Sequence, residues 1–259
     1  MSLLFSYIWS LWCYSILIVI FIISVPIGLF LSWASSDFFC FFTFYLAKVI
    51  FFLIGVRVIV KGNFPIKSKE PVIYIANHSS YLDPVFTSFL VKKKHKYLGK
   101  EEVLSWPIFG SVVKKHMVAV KRELKESRST SMNLMRDTIL QDYSIILYPE
   151  GGWKDDAEQE HPYDIKQNTI LNKFRNGAFR LAIDTKTKII PISICKANKI
   201  HCSETMRFVP GKVIIYISNA IQTNNLSMKE KDIINLNEKS YSIIYNNLMK
   251  HEINLENKT

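Results

Sequence analysis

The first 36 residues of this 259-residue chain contain no charged side chain. Asp37 is the first charged residue and Lys48 the next, and residues 1–60 carry a net charge of +1 because Arg57 is the third. The whole chain carries +11, so residues 61–259 carry +10. An uncharged leading segment joined to a strongly basic body favours an anionic membrane surface or phosphorylated substrates as partners.

The chain also lacks a basic region before its first apolar run, which argues against a cleaved signal peptide. Residues 14–33 form an apolar run about long enough to cross a bilayer, and a second apolar stretch at 38–55 is interrupted only by Lys48. We predict that residues 1–58 form a two-helix hairpin that anchors the chain in a membrane, either within one leaflet or as two spans. The alternative is a buried hairpin of a soluble protein.

Positive charge follows the hairpin, so we expect the body at 59–259, and the active site with it, to face the cytoplasm. The chain has few cysteines, and Cys13, Cys40, Cys195 and Cys202 show no metal-binding spacing. Two of them lie in the apolar leading segment, which argues against a disulfide framework. We expect no metal, and the absence of a recognition motif argues against nucleic acid as a partner.

The body alternates short β-rich runs with stretches of helical character. Such alternation predicts an α/β fold with a mostly parallel central sheet flanked by helices, preceded by the N-terminal membrane-associated hairpin. The predicted strands are 56–60, 72–76, 117–120, 144–148, 189–194 and 213–217, and the predicted helices are 84–92, 127–142, 172–184 and 228–251.

A histidine and a carboxylate five residues apart follow the second predicted strand. Asp83 is within reach of the His78 imidazole across the turn 79–80, and it would fix the tautomer so that the other ring nitrogen can take a proton. Asp83 and Pro84 are also typical of a helix start, with aspartate at the N-cap. The alternative is a hydrogen-bonded structural histidine beside an ordinary cap.

Polar residues follow the carboxyl ends of three predicted strands, where ligands of α/β sheets usually bind. His78 follows one strand, Arg122 another and Glu150 a third. This placement predicts that they converge on one site.

Four sequence blocks, in order, resemble those of the glycerolipid acyltransferases, the lysophosphatidic acid acyltransferases in particular. The first is Asn-His, four residues and Asp; the second is an apolar strand ending in a basic residue; the third is aromatic-Pro-Glu-Gly; the fourth is an apolar strand with a proline. In this chain they are Asn77-His78 with Asp83, then 117–122, then Tyr148-Pro149-Glu150-Gly151, and then 189–194. The resemblance covers roughly residues 60–220.

The resemblance implies acyl transfer from an acyl-CoA or acyl carrier protein thioester to the free hydroxyl of lysophosphatidic acid, giving phosphatidic acid. No other cofactor is expected. His78 would be the general base and Asp83 would orient it. The residues expected to bind substrate or to stabilise the oxyanion are Asn77, Arg122, Glu150, Gly151, Gly152, Lys154 and Arg175.

Two departures from the family pattern bear on these expectations. The family usually continues the third block with Thr-Arg-Ser, whereas this chain has Gly152-Trp153-Lys154, so Lys154, Arg175 or Arg122 would replace the missing arginine. The glycine that often starts the second block is His116 here. The altered third block leaves glycerol-3-phosphate or a lyso-aminolipid open as acceptor, and a catalytically silent membrane scaffold is the alternative from another class.

Overall fold

The computed structural model describes residues 3–63, 70–106, 109–121, 125–151 and 170–256. Its body is a seven-stranded sheet in the order β1-β9-β6-β2-β5-β3-β4, in which every neighbouring pair is parallel except β6 and β9. The strands of this sheet are β1 (Val56–Gly62), β2 (Ile73–Ala76), β3 (His95–Lys100), β4 (Met117–Val120), β5 (Ser144–Leu147), β6 (Ile189–Cys195) and β9 (Gly211–Ile217).

Helices cover both faces of the sheet, and a short ribbon of β7 (His201–Cys202) and β8 (Arg207–Phe208) lies beside it. A 3-10 turn spans Glu101–Ser105. The helices are α1 (Leu3–Ala34), α2 (Ser36–Leu53), α3 (Asp83–Leu90), α4 (Phe109–Val113), α5 (Lys125–Leu140), α6 (Gly177–Asp184), α7 (Ala197–Ile200) and α8 (Glu230–Glu256). This confirms the predicted α/β class and the leading hairpin.

The three central strands β2, β5 and β6 are buried along their whole length, as strands covered on both faces must be. One core cluster joins α2 and α3 to the sheet, and Phe51 stacks on Phe86 there with ring centroids 4.9 Å apart. The second cluster joins α5, α6 and α8 to the other face. The body is therefore a three-layer α/β unit whose first layer includes the hairpin.

The hairpin turns at one residue. Ser35 is the N-cap of α2, and its side chain accepts the N–H of Asp37 at 3.2 Å. Helix α2 then ends before Gly55, whose φ of +67° is the left-handed geometry that favours glycine after a helix. Strand β1 begins directly afterwards at Val56 and includes all of residues 56–60, as predicted for the first strand.

The hairpin presents its large apolar residues outward. The buried positions of α1 are mostly small (Ser6, Ser10, Cys13, Val25, Gly28 and Ser32), whereas Leu4, Leu11 and Trp33 are 70%, 70% and 77% exposed. A core helix of a soluble protein has the opposite arrangement. Both helices are long and apolar enough to cross a membrane. Together these features indicate membrane association rather than a buried hairpin.

Candidate active site

His78 and Asp83 form a hydrogen-bonded pair just beyond the carboxyl end of β2. Asp83 Oδ2 lies 2.9 Å from His78 Nδ1 and also accepts the N–H groups of Ser79 at 2.6 Å and Ser80 at 2.8 Å. The aspartate is fully buried and the imidazole is 12% exposed. With Nδ1 held by the carboxylate, Nε2 is the ring nitrogen that can take a proton from a substrate.

The structure corrects the predicted role of Asp83 as a helix cap. Leu82 occupies the N-cap of α3 without a side-chain cap hydrogen bond, and Asp83 is the first helical residue. Its carboxylate turns back onto the 78–80 turn instead of capping the helix. The N–H groups of Ser79 and Ser80 therefore hold the Asp83 carboxylate in the position where it bonds the imidazole.

The imidazole of His78 stacks on Tyr148, with ring centroids 4.2 Å apart and planes 20° from parallel. The Tyr148 hydroxyl shares Thr87 Oγ1 with Tyr97, each at 3.0 Å. Burial raises the pKa of Tyr148 well above its usual value, so the ring under the histidine stays uncharged. The sequence pattern alone did not predict this contact, although an aromatic residue before Pro-Glu was its signal.

Glu150 holds the backbone on which His78 sits. Its Oε1 accepts the His78 N–H at 2.7 Å and its Oε2 accepts the Asn172 N–H at 3.0 Å. Burial raises the pKa of this carboxyl to about 7, against the lowering effect of the two backbone N–H donors. The structure thus gives Glu150 two backbone partners, whereas the resemblance implied a role in binding substrate or stabilising the oxyanion.

Asn77 is also engaged by backbone. Its Nδ2 donates to the Ile194 carbonyl at 3.0 Å and its Oδ1 accepts the Ile194 N–H at 2.7 Å, so the buried amide ties the end of β2 to β6. The Gly151 N–H donates to the Tyr148 carbonyl at 3.1 Å. These bonds take up two of the groups expected to serve as oxyanion donors, contrary to the sequence-based expectation.

Gly151 makes room for Arg175. The glycine has a φ of +83°, and a Cβ on it would overlap Nε and the neighbouring side-chain atoms of Arg175. The Arg175 N–H donates to the Pro149 carbonyl at 2.8 Å. This places the arginine stem on the backbone that follows β5, next to Glu150 and one strand from His78.

Arg122, Gly152 and Lys154 lie outside the described residues. Strand β4, which precedes Arg122, is three strands from β2 in the sheet order, or about 14 Å at the usual strand spacing. Within the described ranges, no group of three His, Cys, Asp or Glu side chains could hold a metal ion.

Comparisons with known proteins also indicate an acyltransferase. A family model described as Acyltransferase matches residues 57–195. A 1-acyl-sn-glycerol-3-phosphate acyltransferase of Chlamydomonas reinhardtii is 26% identical over 171 residues, covering 65% of this chain and 47% of the relative. The human beta enzyme of the same name is 23% identical over 177 residues, covering 67% of this chain and 59% of the relative. The chain thus spans about half the length of these relatives.

A solved structure shares the fold. The 1-acyl-sn-glycerophosphate acyltransferase PlsC of Thermotoga maritima superposes with a TM-score of 0.77 at 18% identity, covering 97% of this chain and 98% of that one. The likeness therefore extends over the hairpin as well as the sheet.

Proposed function

The chain belongs to the acyltransferase family, and we propose that it transfers a fatty acyl group from an acyl thioester to the free hydroxyl of lysophosphatidic acid, giving phosphatidic acid. The observation that carries the proposal is the bond between His78 Nδ1 and Asp83 Oδ2 at the carboxyl edge of the sheet. The names of the relatives support this choice of acceptor.

The proposed reaction is a direct transfer with His78 as the general base. A glycerol hydroxyl is a weak nucleophile at neutral pH, so Nε2 of His78 takes its proton as the oxygen attacks the thioester carbonyl. Asp83 stabilises the imidazolium that forms. When the tetrahedral intermediate collapses, the C–S bond breaks and the imidazolium returns the proton to the thiolate.

The oxyanion of the intermediate needs hydrogen-bond donors. Since Asn77 and the Gly151 N–H are engaged elsewhere, we assign this role to the Gly152 N–H, the remaining candidate from the third block.

The Arg175 guanidinium lies one strand from the base, against Gly151. We assign it to the acceptor phosphate, since a planar fork of donors suits phosphate oxygens. Arg122 and Lys154 are its proposed companions.

The proposed setting is one leaflet of a membrane. The body holds α1 near both ends, because Ser10 Oγ accepts the Phe208 N–H at 2.8 Å and Ser32 Oγ lies 2.9 Å from His116 Nε2. Those two serines are about 33 Å apart along a helix. A helix bound along this length lies flat on the body, so only its outer face enters the bilayer. It enters from the side of the membrane on which the body lies. We propose that this is the cytoplasmic side.

The test is acyl transfer by the full-length protein in vesicles, with a labelled thioester and competing acceptors. We expect lysophosphatidic acid to be favoured over glycerol-3-phosphate and a lyso-aminolipid, and we expect His78→Ala and Asp83→Asn to lower turnover by about 10²–10⁴-fold. His251→Ala is the control, because that histidine lies on α8 and bonds Tyr216. Wild-type turnover by His78→Ala would refute the mechanism, and preference for another acceptor would refute the substrate.

A further inference from the structure

His201 lies between helix α1 and the turn that holds the His78–Asp83 dyad. It is 3% exposed and begins β7 of the short ribbon. Its Nε2 lies 3.2 Å from the hydroxyl of Tyr14 on α1, and its backbone carbonyl accepts the Ser80 hydroxyl at 3.3 Å. The side chain of one buried residue thus contacts the hairpin, and its main chain contacts the turn at 79–80.

Ser80 connects His201 to the catalytic carboxylate. This serine is fully buried, and its N–H donates to Asp83 Oδ2 at 2.8 Å. The same oxygen lies 2.9 Å from His78 Nδ1. The position of the Ser80 main chain therefore helps to decide where the carboxylate lies against the imidazole, and the bond from the Ser80 hydroxyl to His201 holds that main chain in place.

The Tyr14 hydroxyl fixes the tautomer of His201. It also lies 2.8 Å from the Met206 carbonyl, which can only accept, so the single hydroxyl proton is donated to that carbonyl. The Nε2 of His201 must then carry the hydrogen that binds the Tyr14 oxygen. This leaves Nδ1 as a buried acceptor with no hydrogen-bond partner in the part of the chain that the structure describes. Burial lowers the pKa of His201, so the ring stays neutral.

A packing role alone does not account for a histidine at this position. A buried nitrogen without a partner costs free energy, and an apolar side chain of similar size would avoid that cost. What the imidazole adds is the bond to Tyr14. The contact with α1 is therefore the feature that favours histidine here.

The ribbon of β7 and β8 has little stability of its own. It consists of two residue pairs, and a two-stranded ribbon of that length is not stable in isolation. Helix α1 holds it by three hydrogen bonds, two of Tyr14 and one in which Ser10 Oγ accepts the Phe208 N–H at 2.8 Å. The position of the ribbon therefore follows that of α1.

We propose that Tyr14 and His201 are positioning residues that connect the insertion of α1 into the bilayer to the dyad, an inference that rests on the proposed function. With the outer face of α1 in the bilayer, the ribbon holds Ser80 where its N–H supports Asp83. When α1 is not inserted, the ribbon shifts with it, so Asp83 loses this donor and the imidazole loses its orientation. Turnover is therefore highest where a lipid acceptor is present. The effect is on kcat, because the connecting bonds end on the dyad.

The first test is steady-state kinetics of the full-length protein in vesicles and in detergent. We expect Tyr14→Phe, which keeps the ring and loses the hydroxyl, to lower kcat in vesicles by about tenfold with both KM values unchanged. In detergent, where no bilayer holds α1, the variant and the wild-type protein should differ much less. Tyr7→Phe is the control, because Tyr7 lies on the same helix and phenylalanine keeps the ring that faces the Arg207 guanidinium at 5.6 Å.

Three outcomes of these kinetics would overturn the inference. They are an unchanged kcat of Tyr14→Phe in vesicles, an equal loss in Tyr7→Phe, and the same loss of kcat in detergent as in vesicles.

Substitutions at position 201 separate a positioning role from a packing role. His201→Gln keeps an N–H that can bind Tyr14, whereas His201→Leu fills the space without one. We expect the glutamine variant to keep most of the wild-type kcat and the leucine variant to lose about tenfold. A packing role predicts the opposite order, and that order would contradict the proposal.

A double-mutant cycle tests whether Tyr14 and Ser80 act along one path. Ser80→Ala removes the hydroxyl and leaves the backbone N–H that bonds Asp83. We expect Tyr14→Phe/Ser80→Ala to lose no more kcat than the more impaired single variant, because both substitutions break the same connection. Losses that multiply would show that the two residues act independently, against the proposal.

Hydrogen exchange separates this inference from the proposed function. In the full-length protein in vesicles, the backbone amides of residues 79 and 80 should exchange faster in Tyr14→Phe than in Tyr7→Phe or the wild-type protein. Exchange at the wild-type rate in Tyr14→Phe would overturn the inference whatever the substrate. Faster exchange in a protein that transfers no acyl group to lysophosphatidic acid would support the inference and refute the proposed acceptor.

Discussion

Glu150 accepts the backbone N–H of His78 at 2.7 Å, so a carboxylate that follows β5 fixes the main chain of the histidine that follows β2. The second oxygen of Glu150 accepts the N–H of Asn172, which belongs to the segment leading into α6. One buried side chain thus joins three segments of the chain behind the imidazole. This bond connects residues 72 positions apart in the sequence.

Glu150→Gln tests whether this carboxylate positions the base. The amide nitrogen of glutamine would face one of the two backbone N–H groups, leaving a buried donor unpaired at a cost of about 1–3 kcal/mol. We expect kcat to fall by about 10–100-fold with little change in the KM for the acceptor, since the carboxylate contacts backbone. Steady-state kinetics with lysophosphatidic acid measure both constants, and a raised acceptor KM with normal kcat would show direct substrate contact instead.

Glu150 also predicts a pH dependence of stability. Burial raises the pKa of its carboxyl from 4.5 to about 7, so between these pH values the folded state binds more protons than the unfolded state. The contribution of this carboxyl to the free energy of unfolding is therefore fully present below pH 4.5. It falls by on the order of 3 kcal/mol as the pH rises to about 7. Unfolding in denaturant at several pH values measures the slope. Glu150→Gln should lack this component, and an identical slope in both proteins would contradict the assignment.

Gly151→Ala should impair acceptor binding. Alanine is unfavourable at a φ of +83°, and its Cβ would overlap the Arg175 side chain, which must then move. We expect the KM for lysophosphatidic acid to rise by about tenfold, measured against acceptor concentration at saturating thioester. Gly177→Ala is the matched control, because a Cβ there meets only Met132 Sδ at 3.9 Å in the first turn of α6. Equal effects of both substitutions would argue against the role of Arg175.

His116→Gly, which restores the residue common in the family at this place, should loosen the hairpin. The imidazole stacks on Phe39 of α2, with centroids 3.7 Å apart, and its Nε2 lies 2.9 Å from Ser32 Oγ of α1. Loss of both contacts in a buried site should lower the unfolding free energy by about 2–4 kcal/mol. Limited proteolysis of the hairpin in detergent reports the change. Lys114→Ala is the control, because Lys114 is exposed and lies two residues before His116. This variant should behave like the wild-type protein.

Most strands of the sheet could be predicted from the sequence because they are covered on both faces. Strand β2, for example, is an unbroken buried apolar run. Strand β3 was missed, since His95–Lys100 contains two lysines and a glycine and keeps most of its side chains partly exposed. It is a strand because β5 and β4 bond it on either side, and those partners are more than 15 residues away along the chain.

The identity of the site residues could be predicted from the sequence better than the contacts that these residues make. The pairing of His78 with Asp83 is local, so spacing was enough to predict the bond, although Asp83 lies one position further into α3 than expected. The roles of Asn77 and Glu150 depend on β6 and on the segment before α6, and spacing along the chain carries no information on them.

The apolar hairpin, the α/β class, the local dyad and the family resemblance all follow from the order of the amino acids. These depend on composition, on the periodicity of apolar residues and on spacings of a few residues. The folded chain, and no local pattern, makes β5 the neighbour of β2, which brings Tyr148 under His78 and Glu150 behind it. It also decided that small residues of α1 face the body while large ones face outward. Strand order and helix orientation depend on packing between distant segments, and that packing is settled only when the whole chain has folded.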